Sequence, residues 1–181
     1  MAVKFYCFLL IGILMLTVSS ALAVIDDFHQ IDPGDGVAPT EITIVRVLYD
    51  DDYLYIAADL RDRDPDKIQA TQMIQGRLFF SADRFRVTFD SFNSKRNDCL
   101  YQDNANGVRR AALRDNTARF VEEWAALWHA QSALNDSGWA TEIAIPFKSI
   151  SFDPNGEIWG VNFGRGIVRK EEPIPEPSSP F

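Results

Sequence analysis

The stretch from residue 42 to residue 60 constrains the fold more than any other part of the chain. It holds two runs of β-branched and aromatic residues, 42–49 and 53–60, separated by three consecutive aspartates at 50–52. β-Branched and aromatic residues favour strands, and aspartate side chains hydrogen-bond their own backbone in turns. The pattern predicts a β-hairpin that opens an all-β domain.

Alternation of apolar and polar residues with a period of two returns later in the chain. Phe85, Val87 and Phe89 alternate with polar residues, which places three apolar side chains on one face of a strand. The same alternation around Trp139 and Trp159 predicts two further half-buried strands and assigns both tryptophans to the core.

Turn-forming clusters separate these runs at intervals suited to a sandwich. They lie at 93–95, 104–107, 135–138 and 153–156. Helix and strand patterns compete at 118–127, and one helical turn is expected at 146–149, where Pro146 suits a first helical position. We predict an antiparallel β-sandwich, immunoglobulin-like or jelly-roll, with a few short helical turns.

The first 23 residues have the pattern of a secretory signal peptide. One basic residue, Lys4, precedes an apolar run, and the small residues at 19–23 suit a cleavage site after Ala23. An uncleaved membrane anchor is the alternative. We therefore predict a signal peptide at 1–23, one folded domain at 24–170, and a disordered tail rich in Pro, Glu and Ser at 171–181. The expected location is secreted or periplasmic, with a possible association with the outer membrane.

Charge and cysteine content exclude several classes of function. The net charge of −8 repels phosphate backbones and anionic headgroups, so nucleic acid is not an expected partner. Only Cys99 lies outside the leader, which leaves no intramolecular disulfide, and with His29 and His129 it does not complete a zinc site.

Several ordered segments of the chain together resemble the carbohydrate-binding modules of family nine. The resemblance is specifically to the version that precedes a predicted outer-membrane barrel in bacterial proteins. The segments that carry it are 28–36, 40–68, 83–92, 106–108, Trp124 with Trp128, 138–147 and 159–163. The resemblance implies a β-sandwich that binds a polysaccharide or oligosaccharide, with a barrel or another chain as a further partner. It also implies truncation at both ends, since the usual first strand and the barrel have no counterpart.

The resemblance implies particular ligand-binding residues. Sugar-binding relatives carry a Trp shortly before the strand that ends at Asp90, and a Glu within that strand. The corresponding positions here are Phe80 and Arg86. Phe80 keeps an aromatic face for stacking on a sugar, whereas Arg86 replaces an acceptor with a donor that suits an acidic sugar or a neighbouring carboxylate. A second Trp, expected after the strand around Asn162, is absent.

Three further residues are candidates for the ligand surface. Trp124 and Trp128 follow no clear alternation, so either a core position or a sugar-stacking position is open to them. Arg109 follows the turn at 104–107 and, with Arg110, offers a small basic patch or a partner for nearby carboxylates.

Two acidic clusters raise the question of structural calcium, which related sugar-binding modules hold. Asp50 and Asp52 belong to the first, and Asp62 and Asp64 to the second. Carboxylate oxygens are ligands that calcium prefers, but neither cluster has the spacing of an EF-hand loop. A solvated turn is the alternative for both.

The sequence as a whole favours a non-catalytic carbohydrate-binding module. No paired-carboxylate frame and no Gly-x-Ser-x-Gly motif is recognisable, so we do not expect an enzyme. Two alternatives stay open: a structural periplasmic front module that binds no sugar, and an accessory domain associated with a glycoside hydrolase.

Overall fold

The computed structural model describes residues 23–30, 35–77, 79, 81–114, 120–121, 124 and 126–171. Within these residues the chain forms ten strands and three short 3-10 turns. The strands are β1 (Ala23–Ile25), β2 (Thr43–Tyr49), β3 (Tyr53–Arg61), β4 (Arg84–Asp90), β5 (Asp98–Asn104), β6 (Arg109–Arg114), β7 (Phe120–Val121), β8 (His129–Asn135), β9 (Gly138–Pro146) and β10 (Gly160–Gly166). The 3-10 turns are Pro65–Lys67, Phe147–Ser149 and Val168–Lys170.

The strands form two five-stranded sheets that face each other. Sheet A has the order β1-β2-β3-β9-β8, and sheet B has the order β10-β4-β5-β6-β7. Every pairing between neighbouring strands is antiparallel. The predicted antiparallel β-sandwich with short helical turns is therefore confirmed.

The predicted hairpin is formed by β2 and β3. Asp50 closes its turn, because its Oδ1 accepts hydrogen bonds from the backbone N–H groups of Asp52 (2.8 Å) and Tyr53 (2.7 Å). The register then continues from Tyr49 opposite Leu54 to Thr43 opposite Leu60. The other predicted turns also form, among them 104–107 and 153–156.

The core lies between the sheets and is built from the alternating positions that the sequence marks. Phe85, Val87 and Phe89 are all buried on the inward face of β4. Trp139 is buried in β9, and Trp159 packs edge-on against Phe89 at 6.4 Å. The assignment of both tryptophans to packing is confirmed.

The prediction that β4 is half-buried is wrong, because both of its faces are covered. Thr88 and Asp90, on the outward face, are as buried as the inward phenylalanines. At the Arg84 end of β4 the loop before the strand adds cover, because its backbone carbonyl at Gln72 accepts from Asn104 Nδ2 at 2.9 Å and Asn104 lies opposite Arg84. Periodicity reports which residues share a face, but not what a distant loop places over that face.

A short strand precedes the predicted hairpin, and the absence of the family's usual first strand stays a prediction. The short strand β1 pairs with β2, with Ala23 opposite Val47 and Ile25 opposite Val45. Three residues carry too little alternation to be recognised, yet they cover the middle of the β2 edge.

The predicted helical turn near Pro146 is present as the 3-10 turn Phe147–Ser149. Pro146 itself is the last residue of β9 and precedes that turn. Residues 172–181, which include almost all of the predicted tail, lie outside the described residues, as do residues 1–22.

A buried ionic cluster joins the last described turn to both sheets. Arg169 forms a bidentate pair with Asp62, at 2.8 and 2.6 Å. The cluster, which we call the C-terminal clasp, consists of Glu41, Asp62, Asp83, Arg165, Arg169 and Lys170. Asp83 also accepts the backbone N–H of Val168 at 2.8 Å, so the turn is held through its backbone as well.

Candidate functional site

Polar side chains form a row across the outward face of sheet B. The pairing registers place Arg86 on β4 opposite Gln102 on β5, and Gln102 opposite Arg110 on β6. Directly opposite residues on one face of an antiparallel sheet are close neighbours. We call Arg86, Gln102 and Arg110 the outer row.

The β10 side of the outer row is lined almost entirely by glycine. The outward positions of β10 are Gly160, Asn162, Gly164 and Gly166, and Gly164 lies opposite Arg86. Because three of these four positions have no side chain, β10 places little over the outer row. Asn162 is exposed. It lies opposite Thr88, which is the next outward residue after Arg86 on β4.

The carboxylates on the same face are already engaged. Asp98 pairs with Arg114, both side chains being almost fully buried. Asp90 accepts backbone N–H groups from the following turn, including that of Ser94 at 3.0 Å. Burial raises the pKa of Asp98, and the opposing effects of Arg114 and Arg86 do not cancel that rise. The outward face is therefore lined mainly by guanidinium and amide groups, whose chemistry suits oxygen-rich ligands. The three side chains of the outer row are themselves buried, with Arg86 7%, Gln102 6% and Arg110 2% exposed.

One end of this face is closed by the loop that leads into β4. Phe79, Ala82 and Val108 form a small buried cluster there. Arg84 Nη1 donates to the Phe79 carbonyl at 2.8 Å, and the N–H of Gly76 donates to the Arg109 carbonyl at 2.8 Å. Phe80, the predicted stacking residue, belongs to this loop but lies outside the described residues.

A family model described as "Carbohydrate family 9 binding domain-like" matches residues 34–165. The chain belongs to this family. The match confirms the resemblance that the ordered segments between residues 28 and 170 carry, although it does not address a barrel behind the domain.

Two solved structures share the fold of this family 9 domain. One is a family 9 carbohydrate-binding module from Caldicellulosiruptor kristjanssonii in complex with cellotriose, at 17% identity and a TM-score of 0.52, covering 73% of this chain and 61% of that chain. The other is described as a family 9 module from the same organism in complex with glucose, at 16% identity and a TM-score of 0.53, covering 76% and 66%. This chain thus spans between three fifths and two thirds of their length. No curated protein sequence matches it.

The structure places Trp128 and Trp124 in the packing of the family 9 domain and not on an open surface. Trp128 is buried with its ring edge-on to Tyr101 at 5.4 Å, and Trp124 is half-buried and edge-on to the same ring at 6.0 Å. The prediction left both a core and a ligand position open, and the observed position of Trp128 is a core one.

Arg109 lies on the inward face of β6, opposite Asp103, and not on the outer row. Its Nη1 donates to the carbonyl of Trp128 at 2.6 Å, and its guanidinium lies 5.6 Å from the centre of the Trp128 ring. Arg109 therefore holds the segment before β8 in place. The sequence analysis grouped Arg110 with Arg109 in one patch, whereas the structure places only Arg110 on the outward face, opposite Gln102.

The aspartates proposed as calcium ligands make other contacts. Asp62 is bound by Arg169, and its Oδ1 also accepts the N–H of Asp64 at 2.8 Å. Asp50 serves its own turn and accepts the Tyr55 hydroxyl at 2.9 Å, while Asp52 is exposed. Among the described residues no three His, Cys, Asp or Glu side chains converge as a metal site would need. Calcium binding stays a prediction.

Gln102 and Asn162 are candidate site residues that sequence reasoning missed. Both are polar residues at outward positions of strands, one in β5 and one in β10. Alternation around Asn162 was visible in the sequence, but no pattern marked 98–104 as a strand, because its inward and outward positions are both mixed in polarity. Within the described part of the chain, no helix is both long and apolar enough to cross a bilayer.

Proposed function

We propose that this family 9 domain binds a saccharide over the outward face of sheet B and does not cleave it. The observation that carries the proposal is the outer row, found in a chain whose family is named for carbohydrate binding. The two structures of similar fold were obtained with cellotriose and glucose, which supports the same ligand class here.

The chemistry of the outer row suits hydroxyl and carboxylate groups. Guanidinium N–H groups donate in a fixed fork, and the amide of Gln102 both donates and accepts. With Arg86 and Arg110 on the row, uronic acids as well as neutral sugars are included in the proposed ligand class. Phe80 is proposed to supply the apolar face on which a pyranose ring stacks.

The carboxylates on this face argue for binding without hydrolysis. A glycosidase needs two carboxyl groups that flank the scissile bond, one of them poised as an acid. Asp98 is committed to Arg114 and Asp90 to the backbone of its turn. Both carboxylates are also almost fully buried, so no catalytic role is assigned to this domain.

Affinity electrophoresis of the full secreted chain in gels that contain a neutral β-glucan or a polyuronate tests the proposal. We expect retardation in at least one gel, because stacking and the outer row together give measurable affinity. Phe80→Ala should weaken binding by about tenfold, since one aromatic contact contributes about 1 kcal/mol or slightly more. Calorimetry with soluble oligosaccharides of the same polymer should give the same ratio.

Phe92→Ala is the matched control for Phe80→Ala. Phe92 is exposed and follows β4, at the end of the strand opposite to Phe80. Its removal should leave the affinity unchanged. Equal losses from both variants would contradict a site built on Phe80, and a chromogenic glycoside hydrolysed by the purified chain would contradict the non-catalytic assignment.

A structural front module without sugar binding is the second candidate. It is favoured by the burial of Arg86 and Arg110 in the described structure and by the packing role of Trp128. Absence of binding to every neutral and acidic glycan, by a chain that melts cooperatively, would support this candidate. A barrel or partner chain remains a prediction in that case.

Secretion is also part of the proposal. Cleavage after Ala23 would leave Val24 and Ile25 to pair with Arg46 and Val45, so two of the three β1 pairs would survive. Expression of the full gene in a bacterial host, followed by N-terminal sequencing, should find Val24 first in the periplasmic or secreted fraction. A product that keeps Met1 in the cytosolic fraction would contradict it.

A further inference from the structure

Asp103 is an aspartate on the inward face of sheet B with no exposure to solvent. It lies on β5 between Phe85 on β4 and Arg109 on β6. Its Oδ2 accepts the hydroxyl of Ser132 on β8 at 2.8 Å and the hydroxyl of Thr141 on β9. The carboxyl group therefore joins sheet B to the two strands at the β8 edge of sheet A.

The second oxygen of the Asp103 carboxyl group has no hydrogen-bond partner among the described residues. An ionised carboxylate that is buried and only half satisfied is costly, since both desolvation and the unmade bonds oppose the charge. Burial accordingly raises the pKa of Asp103 to about 7, although the two hydroxyl groups and Arg109 act in the opposite direction. Neutral Asp103 is thus the form that this interior favours.

Among the residues that the structure describes, few charged groups face Asp103 from the surrounding strands. Arg109, its neighbour on β6, is the one that acts on its charge, and Arg109 is also held by the Trp128 carbonyl. β8 and β9 present hydroxyl groups to Asp103, whereas His129 and Glu142 occupy alternate positions that point to the opposite face of sheet A. Proton uptake by one group can therefore alter this contact between the sheets.

We propose that Asp103 is a proton-operated clasp that closes the β8 edge of the sandwich when it is neutral and loosens that edge when it is ionised. The unfolded chain or an open edge returns Asp103 to the ordinary aspartate pKa of 3.8. Between pH 3.8 and about 7, the folded form therefore keeps a proton that the open form releases. The contribution to stability is complete below pH 3.8 and is lost as the pH rises through about 7.

Amide hydrogen exchange of the full chain at pH 6 and pH 8 tests this role of Asp103. After correction for the intrinsic exchange rate, opening at β8 should be about tenfold more favourable at pH 8, as a group with a pKa near 7 requires. Amides of β2, which β3 separates from β9 in sheet A, should show a much smaller change. If the pH dependence of opening were equal in β2 and β8, the proposal that Asp103 acts locally on the β8 edge would be overturned.

Asp103→Asn imitates the neutral form, because its amide oxygen can accept both hydroxyl groups without a charge. It should remove the pH dependence at β8, whereas Asp59→Asn, at a partly exposed position on β3, should leave it intact. Ser132→Ala removes one donor to the ionised form, so the midpoint should move to higher pH. If opening at β8 kept its full pH dependence in Asp103→Asn, the proposal would be overturned.

A direct titration covers the case in which Asp103→Asn does not fold. The carboxyl carbon of Asp103 in the wild-type chain, followed by carbon-13 NMR, should titrate near neutral pH. A carboxyl group that stays ionised down to pH 5 would also overturn the proposal.

Discussion

Arg169→Ala is expected to lower the free energy of unfolding by about 3–5 kcal/mol, the range found when one partner of a buried ion pair is removed. The side chain of Asp62 is fully buried, and Arg169 supplies two of its hydrogen bonds. Without Arg169, the described partners left to the buried charge of Asp62 are the N–H of Asp64 and the more distant Arg165, at 3.8 Å. Urea unfolding at pH 7, followed by tryptophan fluorescence, measures the loss.

Arg61→Ala is the control for this experiment. Arg61 pairs with Asp59 at 3.1 Å, but half of its side chain is exposed, so water screens the pair. The expected loss is about 0–1 kcal/mol. If both variants lost the same small amount, the C-terminal clasp would contribute no more than a surface ion pair.

The pH dependence of the C-terminal clasp follows from Asp62. Burial opposes its ionisation, but the hydrogen bonds from Arg169 and from the N–H of Asp64 outweigh burial, so the pKa of Asp62 is lowered. The stabilisation is therefore present above the ordinary pKa of 3.8 and is lost as the pH falls below it. Asp103 behaves in the opposite way, which separates the two contributions in an acid titration.

Trp128→Ala is expected to lower the free energy of unfolding by about 3–5 kcal/mol, as large-to-small substitutions of buried aromatic residues do. The ring is buried against Tyr101 and lies beneath the Arg109 guanidinium. Its removal leaves a cavity and takes away the surface on which Arg109 rests. Thermal and urea unfolding of the variant measure the effect.

The neighbouring Leu127→Ala serves as the control, since Leu127 is exposed. Its effect should stay within about 0.5 kcal/mol. Below its melting temperature, Trp128→Ala should keep whatever glycan affinity the wild-type chain has. If Trp128→Ala melted like the wild-type chain but no longer bound glycan, Trp128 would have to be reassigned as a ligand contact.

Local patterns predicted the strands and turns of this fold well, because each depends on neighbours in sequence. The aspartates at 50–52 close the predicted hairpin through Asp50, and the alternation at 85–89 marks the buried face of β4. Turn residues and alternation act over a few positions, which a single sequence displays directly.

The candidate site depended on contacts between distant segments, and there sequence reasoning was weaker. Arg109 and Arg110 are adjacent, so one faces inward and the other outward, but only the register with β5 decides which. The sequence predicts a turn or a calcium ligand at Asp62, whereas the structure pairs Asp62 with Arg169, 107 positions later in the chain. Pairings of this kind leave no local trace.

The separation between Asp62 and Arg169 also has a consequence for synthesis. A ribosome adding about 5–20 residues per second needs about 5–20 s to make the 107-residue span between them. During that interval the nascent chain carries a carboxylate whose burial is uncompensated, which disfavours early closure of the β2–β3 end. The β2–β3 end of the domain is therefore expected to stay open until Arg169 has been synthesised.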